Sequence, residues 1–552
     1  MDGAWHAQHG KLSDYCNHAP PLRSSGKKYD QTDAPLDSNT PVLPLSAIEN
    51  IWAPFDDEVQ FCLTDFLFQK VEMSQDDIND LMDLWALDLE KKCGSDAPFD
   101  NHEALYKAIN EIRVSSAPWK CFQTIVPEDL SRDAPDWQKQ SYQMWFHDPD
   151  VVIQNILANP DFANKFDATP YIHLNSDGQC CWSDFMSGNF AWHHSTQIYE
   201  ANPNTKGAMY VSIILRSNKT TVSIATGNVE YYPKYDRDVA FRLFKKKLYH
   251  QSLTAILCSL VPAMTTPVVH QCPDEYYRHV IYDLGLYIVD YPEQVLLAGI
   301  VQGWCVKCTS PATNLNAPGD RHSRKHTKVL LDAFKNELDV LWDNYNIHEM
   351  LLSDLLHQVI KGSFKDHLVE WVYKYLVLKD GDKQLIAAIP PFPGLQRFPH
   401  GHRFKQWTGN DSKALMKVYL AAVAGYLPDS IMKALSAFMD FCYLVQRSDF
   451  NESNFSLPRQ HAIVHYPSHI MEFSAPNGLC SSITESWHIT TIKKPWQHSN
   501  HYNALSQMLL MNQCLDKLAA LHMDLSSYLK KLVLMEWIHQ SSTQLFACFI
   551  QQ

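Results

Sequence analysis

YRHVIYDLGLYIVDYPEQVLLAGIVQGWCVKC, residues 277–308, decides how the rest of the chain is read. Its first part is β-branched and aromatic and reads as strand, closed by Asp290 and Pro292. A carboxylate at a strand end, held by rigid backbone, is a good ligand for a hard cation. The competing reading makes Asp290 a cap for the Tyr-Pro turn that follows. The segment ends in Cys305-Val-Lys-Cys308, and two soft thiolates at that spacing can share one zinc ion. His322 and His326 downstream complete C-x2-C-x13-H-x3-H, inside the window for a Cys2His2 site. Histidine spacing is weak evidence in a chain with 26 His, and His461 with His465 forms another H-x3-H pair. Two buried cysteines and two loop histidines are the plain alternative.

Working outward, GAMYVSIILRSNKTTVSIATGNVEYY (207–232) is dominated by Val, Ile, Thr and Tyr and reads as strand–turn–strand, with turns at Arg216–Lys219 and Gly227-Asn228. Residues 239–261 read as a helix carrying the basic run Arg242-Leu-Phe-Lys245-Lys246-Lys247, either a phosphate contact or a solvated face. Helical periodicity prevails from about 328 to 445 and again from 500 to 552. Asp354 and His357 in LLSDLLHQVIKG are three apart, so they share a helix face and can orient each other or reach a metal. Glu485 in CSSITESWHI is a lone acid near a helix start, where a capping role suffices. Residues 48–112 are helical in pattern, with Ser74 placed as an N-cap before the acids of SQDDINDLMDLWAL.

The chain has 552 residues and a formal net charge of −14, which argues against a simple nucleic-acid binder. The acidity is local. Residues 51–150 hold 21 acids and 8 bases, a net of −13, so the remainder is close to neutral. Such a module suits a basic partner, and a non-enzymatic interaction protein is one reading of it. No apolar run is long enough for a membrane span, and the first residues lack the basic and apolar regions of a signal peptide. The 14 cysteines are scattered and read as reduced thiols or metal ligands. Neither a GxxxxGK[ST] loop nor a G-x-S-x-G elbow is present, which removes P-loop NTPases and that class of serine hydrolase.

Longer strings carry a resemblance. DYPEQVLLAGIVQGWCVKC, LLSDLLHQVIKGSFKDHLVEWV, PPFPGLQRFPHGHRFKQWTGNDSKALMKVYL, FSLPRQHAIVHY and APNGLCSSITESWHI resemble the Plavaka-type transposases of fungal DNA transposons, relatives of the CACTA and Kyakuja–Dileera–Zisupton groups. WFHDPDVVIQNILANPDF fits the region before that family's core, and the likeness runs from about Ile48 to about Leu521. The resemblance implies an α/β, RNase H-like core with a large helical insertion, helical flanking modules and a DDE-type carboxylate set. Such acids hold two magnesium ions: one activates water or a DNA 3′-hydroxyl, the other stabilises the leaving oxygen. By the same resemblance Asp290 matches the second catalytic acid, Glu485 the third, and Asp354 with His357 a D-x2-H signature between them. Cys305 and Cys308 match the family's CxxC; His326 falls where the family has His, and His322 does not. DNA ends become the partner, self-association is allowed, and the nucleus is the place of action, or the cytoplasm for a vestigial product.

Two departures set the expected activity. Where the family reads S-D-K-T on its first core strands, this chain reads Ser217-Asn218-Lys219-Thr220. Asparagine keeps the shape of the acid and removes its charge, so it cannot bridge two cations. After GNVEYYP a family strand is absent, Pro233 joining directly to Lys234, with shorter joins near 347–348, 381–382 and 454–455. The expectation is a catalytically defective, transposase-derived protein whose core lacks part of its sheet; an active DDE transposase is the alternative. The expected organisation is a disordered tail (1–45), an acidic helical module (46–150), the first part of the core (151–300), the CxxC segment with the helical insertion (301–475), and the last part of the core with C-terminal helices (476–552).

Overall fold

The computed structural model describes residues 26–37, 40, 50–92, 96–113, 117–124, 131–163, 165–217, 238–300, 303–310, 319–323, 325, 329, 346–381, 385–390, 392–401, 407–447, 450–451, 465–480, 487, 489–502 and 504–549. Along the chain come α1 (Glu58–Thr64), a π-helical turn (Asp65–Lys70), α2 (Gln75–Lys92), α3 (His102–Glu111), β1 (Trp119–Gln123), β2 (Gln143–His147) and α4 (Pro149–Leu157). Then follow β3 (His173–Leu174), β4 (Cys180–Trp182), α5 (Asn189–Ala201), β5 (Met209–Arg216), α6 (Val239–Leu257), β6 (Val268–Gln271), β7 (Tyr277–Val289) and α7 (Tyr291–Ala298). The last stretch holds β8 (Leu351–Ser353), a long π-helix (Leu355–Val369), α8 (Glu370–Asp380), α9 (Gly409–Val423), α10 (Asp429–Leu444), β9 (Phe450–Asn451), α11 (Tyr466–Phe473) and α12 (Ala504–Phe549). This is a mixed α/β protein. Among the described residues no helix is long and apolar enough to cross a membrane.

Two compact units divide the chain. One contains residues 167–268 and 279–488 and is built on β7. From Val280 to Val289 this strand is buried without a break, the continuous apolar reading of a strand covered on both faces. β5 pairs with it in parallel, from Met209 opposite Val280 to Arg216 opposite Ile288, with an irregularity between Ile213 and Leu215. On its other edge β7 pairs in parallel with β8, Tyr287 to Val289 opposite Leu351 to Ser353. Parallel neighbours need a crossover, and α6 lies in sequence between β5 and β7. The fourth strand of this sheet, β6, lies where the chain passes from one unit to the other.

Close packing of β5 on β7 requires Gly285, because a Cβ there would stand 2.1 Å from Ser212 Oγ and 3.0 Å from the Phe185 ring. One sheet face is covered by α5 and α11, whose Phe190 and Phe473 join Leu286, Ile288 and Leu352 in one apolar cluster. Removing each of these from water is worth roughly 1.5–3 kcal/mol. The helical insertion has its own core, in which Leu356, Ile360 and Phe364 of the π-helix meet Leu415 and Tyr419 of α9 and Phe438 and Phe441 of α10. Within the π-helix Gly362 sits against its own backbone, since a Cβ would come within 2.7 Å of the His357 carbonyl oxygen.

The other unit groups residues 28–166 and 269–278 with 489–552. Phe61, Leu67, Ile78, Met82, Leu105 and Ile109 of the front helices pack with Cys514, Leu518 and Leu521 of α12. Asp57 caps α1 by accepting from Gln60 N at 2.9 Å, and Ser74 caps α2 by accepting from Asp77 N at 3.2 Å, as its sequence position foretells. β1 and β2 form an antiparallel pair, Trp119 opposite His147, which the sequence reading does not contain. Trp119 Nε1 donates to Leu509 O at 3.1 Å and Lys517 Nζ to Asn110 O at 2.6 Å, fastening α12 to this unit.

Candidate metal centre and carboxylate edge

The three parallel strands of the sheet unit end at one edge, and the residue types there follow from chain order. β5 ends at Arg216 and is followed by Ser217, β7 ends at Val289 and is followed by Asp290, and β8 ends at Ser353 and is followed by Asp354. Carboxyl ends of parallel strands are the usual place for a site in an open α/β sheet. Asp290 is also the cap that local reasoning allows: it accepts from Glu293 N at 3.0 Å and opens α7. Ser217 Oγ donates to Glu293 Oε2 at 2.6 Å and thereby ties the end of β5 to α7. Burial raises the Glu293 carboxyl above its ordinary range; Asp290 adds to the rise, while the Ser217 bond and His357 oppose it. Arg216 Nη2 donates to Gly478 O at 3.0 Å, and burial lowers its pKa against the pull of Cys480 and Asp354.

Asp354 is completely buried. It caps the π-helix, accepting from Leu356 N at 3.3 Å and from His357 N at 2.8 Å, and its Oδ2 lies 2.5 Å from His357 Nδ1. The i,i+3 pairing expected from sequence is present, and it is bound up with the helix start. Asn218 and Glu485 lie outside the described residues, as does the Pro233–Lys234 join. Among the described residues the carboxylates of this edge do not gather three ligand atoms into a cluster of metal-site size.

One group of residues does. Cys305, Cys308 and His465 place their ligand atoms within 4.8 Å of one another. The thiol loop is shaped by backbone bonds: Cys305 N donates to Ser310 O at 3.3 Å, Thr309 N to Asp320 O at 2.9 Å and His322 N to Lys307 O at 3.2 Å. Gly319 permits that close return, because a Cβ there would stand 2.6 Å from Ser310 Oγ. Lys307 N donates to Cys305 Sγ at 3.4 Å, and Cys308 Sγ, nearly fully buried, lies 3.3 Å from Ser310 Oγ. The interaction between Cys305 and Cys308 holds the Cys308 thiol below its usual range and pushes Cys305 above it, with burial adding to the rise at Cys305. His465 sits at the start of α11 with Nε2 3.4 Å from Cys305 Sγ. With Zn–S near 2.3 Å and Zn–N near 2.0 Å, tetrahedral geometry sets S and N roughly 3.6 Å apart, so the Cys305–His465 separation suits zinc, with three of a structural site's four ligands gathered among the described residues.

His322, expected from spacing as a ligand, is buried beside the loop rather than in that cluster. Its Nε2 lies 3.3 Å from the Cys305 carbonyl oxygen, and its ring stacks on His348 at 4.1 Å. His326 and His461 lie outside the described residues. His465 is the ligand that spacing arguments pass over, because its H-x3-H pair with His461 has the same form as any chance pair. The usable signal was its place in FSLPRQHAIVHY, where it directly precedes the buried Tyr466.

No curated protein matches the chain. A family model described as Plavaka transposase matches residues 99–237 and 234–372, two segments that meet beside the Pro233–Lys234 join. Between them they take in β5, β7 and β8, Asp290, the CxxC pair and the Asp354–His357 pair, and on that match the chain belongs to the Plavaka transposase family.

Proposed function

We propose that the chain is a transposase-derived, zinc-stabilised protein on an RNase H-like core that binds DNA and no longer cleaves it. The observation that carries this is the edge of the parallel sheet. Asp290 and Asp354 follow two adjacent strands, while the third strand, β5, runs into Ser217-Asn218 where the family has its first acid. The strand order β5–β7–β8, all parallel with α6 as crossover, supports the RNase H-like reading. A metal pair in that family would supply charge neutralisation and an activated oxygen nucleophile for phosphoryl transfer. Two of the three expected positions, Asn218 and Glu485, lie outside the described residues, and what the chain supplies speaks against such a pair. Asp354 spends its oxygens on the helix cap and on His357, and an uncharged Asn218 cannot replace a bridging carboxylate.

Zinc has a structural part in this reading. Cys305 and Cys308 as thiolates, with the His465 imidazole, would tie the loop after α7 to α11 across more than 150 residues of sequence. DNA is the family's partner, and Arg242, Lys245, Lys246 and Lys247 on α6 supply local basic charge in an acidic chain. The test is duplex binding by the full chain from low to moderate salt. Binding that weakens steeply with salt is expected. Absence of affinity at low salt would contradict DNA binding and favour an interaction protein working through its acidic front module.

A further inference from the structure

A cavity of about 500 Å³ in the sheet unit lies apart from the carboxylate edge and beside the candidate metal centre, with His465 and Lys307 in its lining. It is an open cleft lined by α5, α11, the thiol loop and the turn at His348–Glu349. Its volume is that of a small-molecule site. The walls are aromatic: His194 stacks on Phe190 at 3.8 Å, His322 on His348 at 4.1 Å, and Phe473 is buried beside them.

One wall is fixed from behind. His194 Nδ1 lies 3.1 Å from Asp283 Oδ2, and the same oxygen accepts from Tyr210 OH at 2.6 Å. Asp283 and Tyr210 are both buried within the sheet, so the imidazole is held before any ligand arrives. The two helical walls are held at closest approach by Gly188, where a Cβ would stand 2.3 Å from the Glu472 carbonyl oxygen. Inside is the Glu472 carboxyl, which burial raises to about 7 against the opposing influence of Arg321. Arg321 and Gln197, both exposed, stand at the rim.

Flat rings, an interior carboxyl and a guanidinium at the rim select among ligands. A bare anion would find Lys307 and Arg321 but gains nothing from the rings and meets Glu472 and Glu349. A transition metal finds no second set of three gathered donors among the described residues. A planar base with N–H donors on its edge and a phosphate at one end satisfies all three features. We propose that this cavity binds one nucleotide, its base against the Phe190–His194 and His322–His348 ring pairs, its edge toward Glu472 and its phosphate toward Arg321. The same chemistry is offered by a free mononucleotide and by a base extruded from a DNA strand.

The inference does not depend on strand cleavage, and because His465 lines the cavity its test follows zinc content separately. Full-length protein, with zinc content measured in every variant, is dialysed against each of the four deoxynucleoside monophosphates and against inorganic phosphate. A parallel titration uses single strands carrying 2-aminopurine, whose fluorescence reports on stacking. Binding is expected in at least one arm: the mononucleotide arm alone identifies a free ligand, and the strand arm an extruded base. Gln197→Trp, which closes the rim from an exposed position, and Arg321→Ala should each weaken binding at least about tenfold without loss of zinc. No binding in either arm, full competition by inorganic phosphate, or either variant leaving binding unchanged would overturn the proposal.

Discussion

Asp354→Ala tests how the carboxylate edge is built. The side chain is completely buried and serves the first turn of the π-helix, accepting from Leu356 N at 3.3 Å and His357 N at 2.8 Å. Alanine leaves both amides without their acceptor, and each buried unpaired donor costs roughly 1–3 kcal/mol. The helix recovers part of this by tightening its end, and a lost cap alone costs about 0.5–2 kcal/mol. A local loss of about 3 kcal/mol follows, equivalent to about two orders of magnitude in an opening equilibrium. Hydrogen exchange read by mass spectrometry resolves it: protection in peptides spanning 355–364 should fall by that factor, while α1–α3 in the other unit should be unchanged. Magnesium added to the wild-type chain should leave the same peptides unaltered, because the Asp354 oxygens are already engaged. Unchanged protection in Asp354→Ala, or a rise in wild-type protection with magnesium, would refute the assignment of Asp354 as a cap.

Two further outcomes follow from the geometry. Purified protein should carry one zinc per chain by elemental analysis; Cys308→Ser and His465→Ala should each abolish it and His322→Ala should keep it, so metal retained in His465→Ala would contradict the cluster. His250 is buried on α6, and burial lowers its pKa from 6.5 to about 4, with Lys246 adding to the fall and the Leu296 carbonyl opposing it. Because the unfolded chain takes up the proton first, stability is full above pH 6.5 and is lost as pH falls through 4. Between pH 7 and 5 the loss from this one group is about 2 kcal/mol. His250→Gln should remove that part of the acid sensitivity in urea unfolding curves monitored at both pH values.

What the sequence made legible is what periodicity and local chemistry record. The apolar run of β7, the strand of 209–216, the basic helix of 239–257 and the Ser74 cap were all readable, because each is set by neighbours in sequence. The β1–β2 pair was not. WKCFQ and QMWFH are short, mixed in polarity and separated by 19 residues, so their pairing rests on tertiary contacts such as the Trp119 bond to Leu509. At the site, Asp290 and the CxxC pair stood out by residue type and by family strings. His465 lies in such a string too, but a candidate ligand more than 150 residues from its partners has no spacing signature, so nothing in the sequence pairs it with them. Of the two readings of Asp290, the structure shows the cap on the next helix.

The central claim is that this member of the Plavaka transposase family cannot cut DNA, and strand cleavage measures it directly. Zinc-loaded full-length protein is incubated with magnesium or manganese and end-labelled duplexes carrying terminal repeats of transposons of this family, beside Asp290→Ala and with nicks counted on denaturing gels. The account predicts no product above the Asp290→Ala background with either metal. Nicks at the repeat ends that depend on Asp290 would contradict it, and would mean that another carboxylate completes the site where the chain carries Asn218.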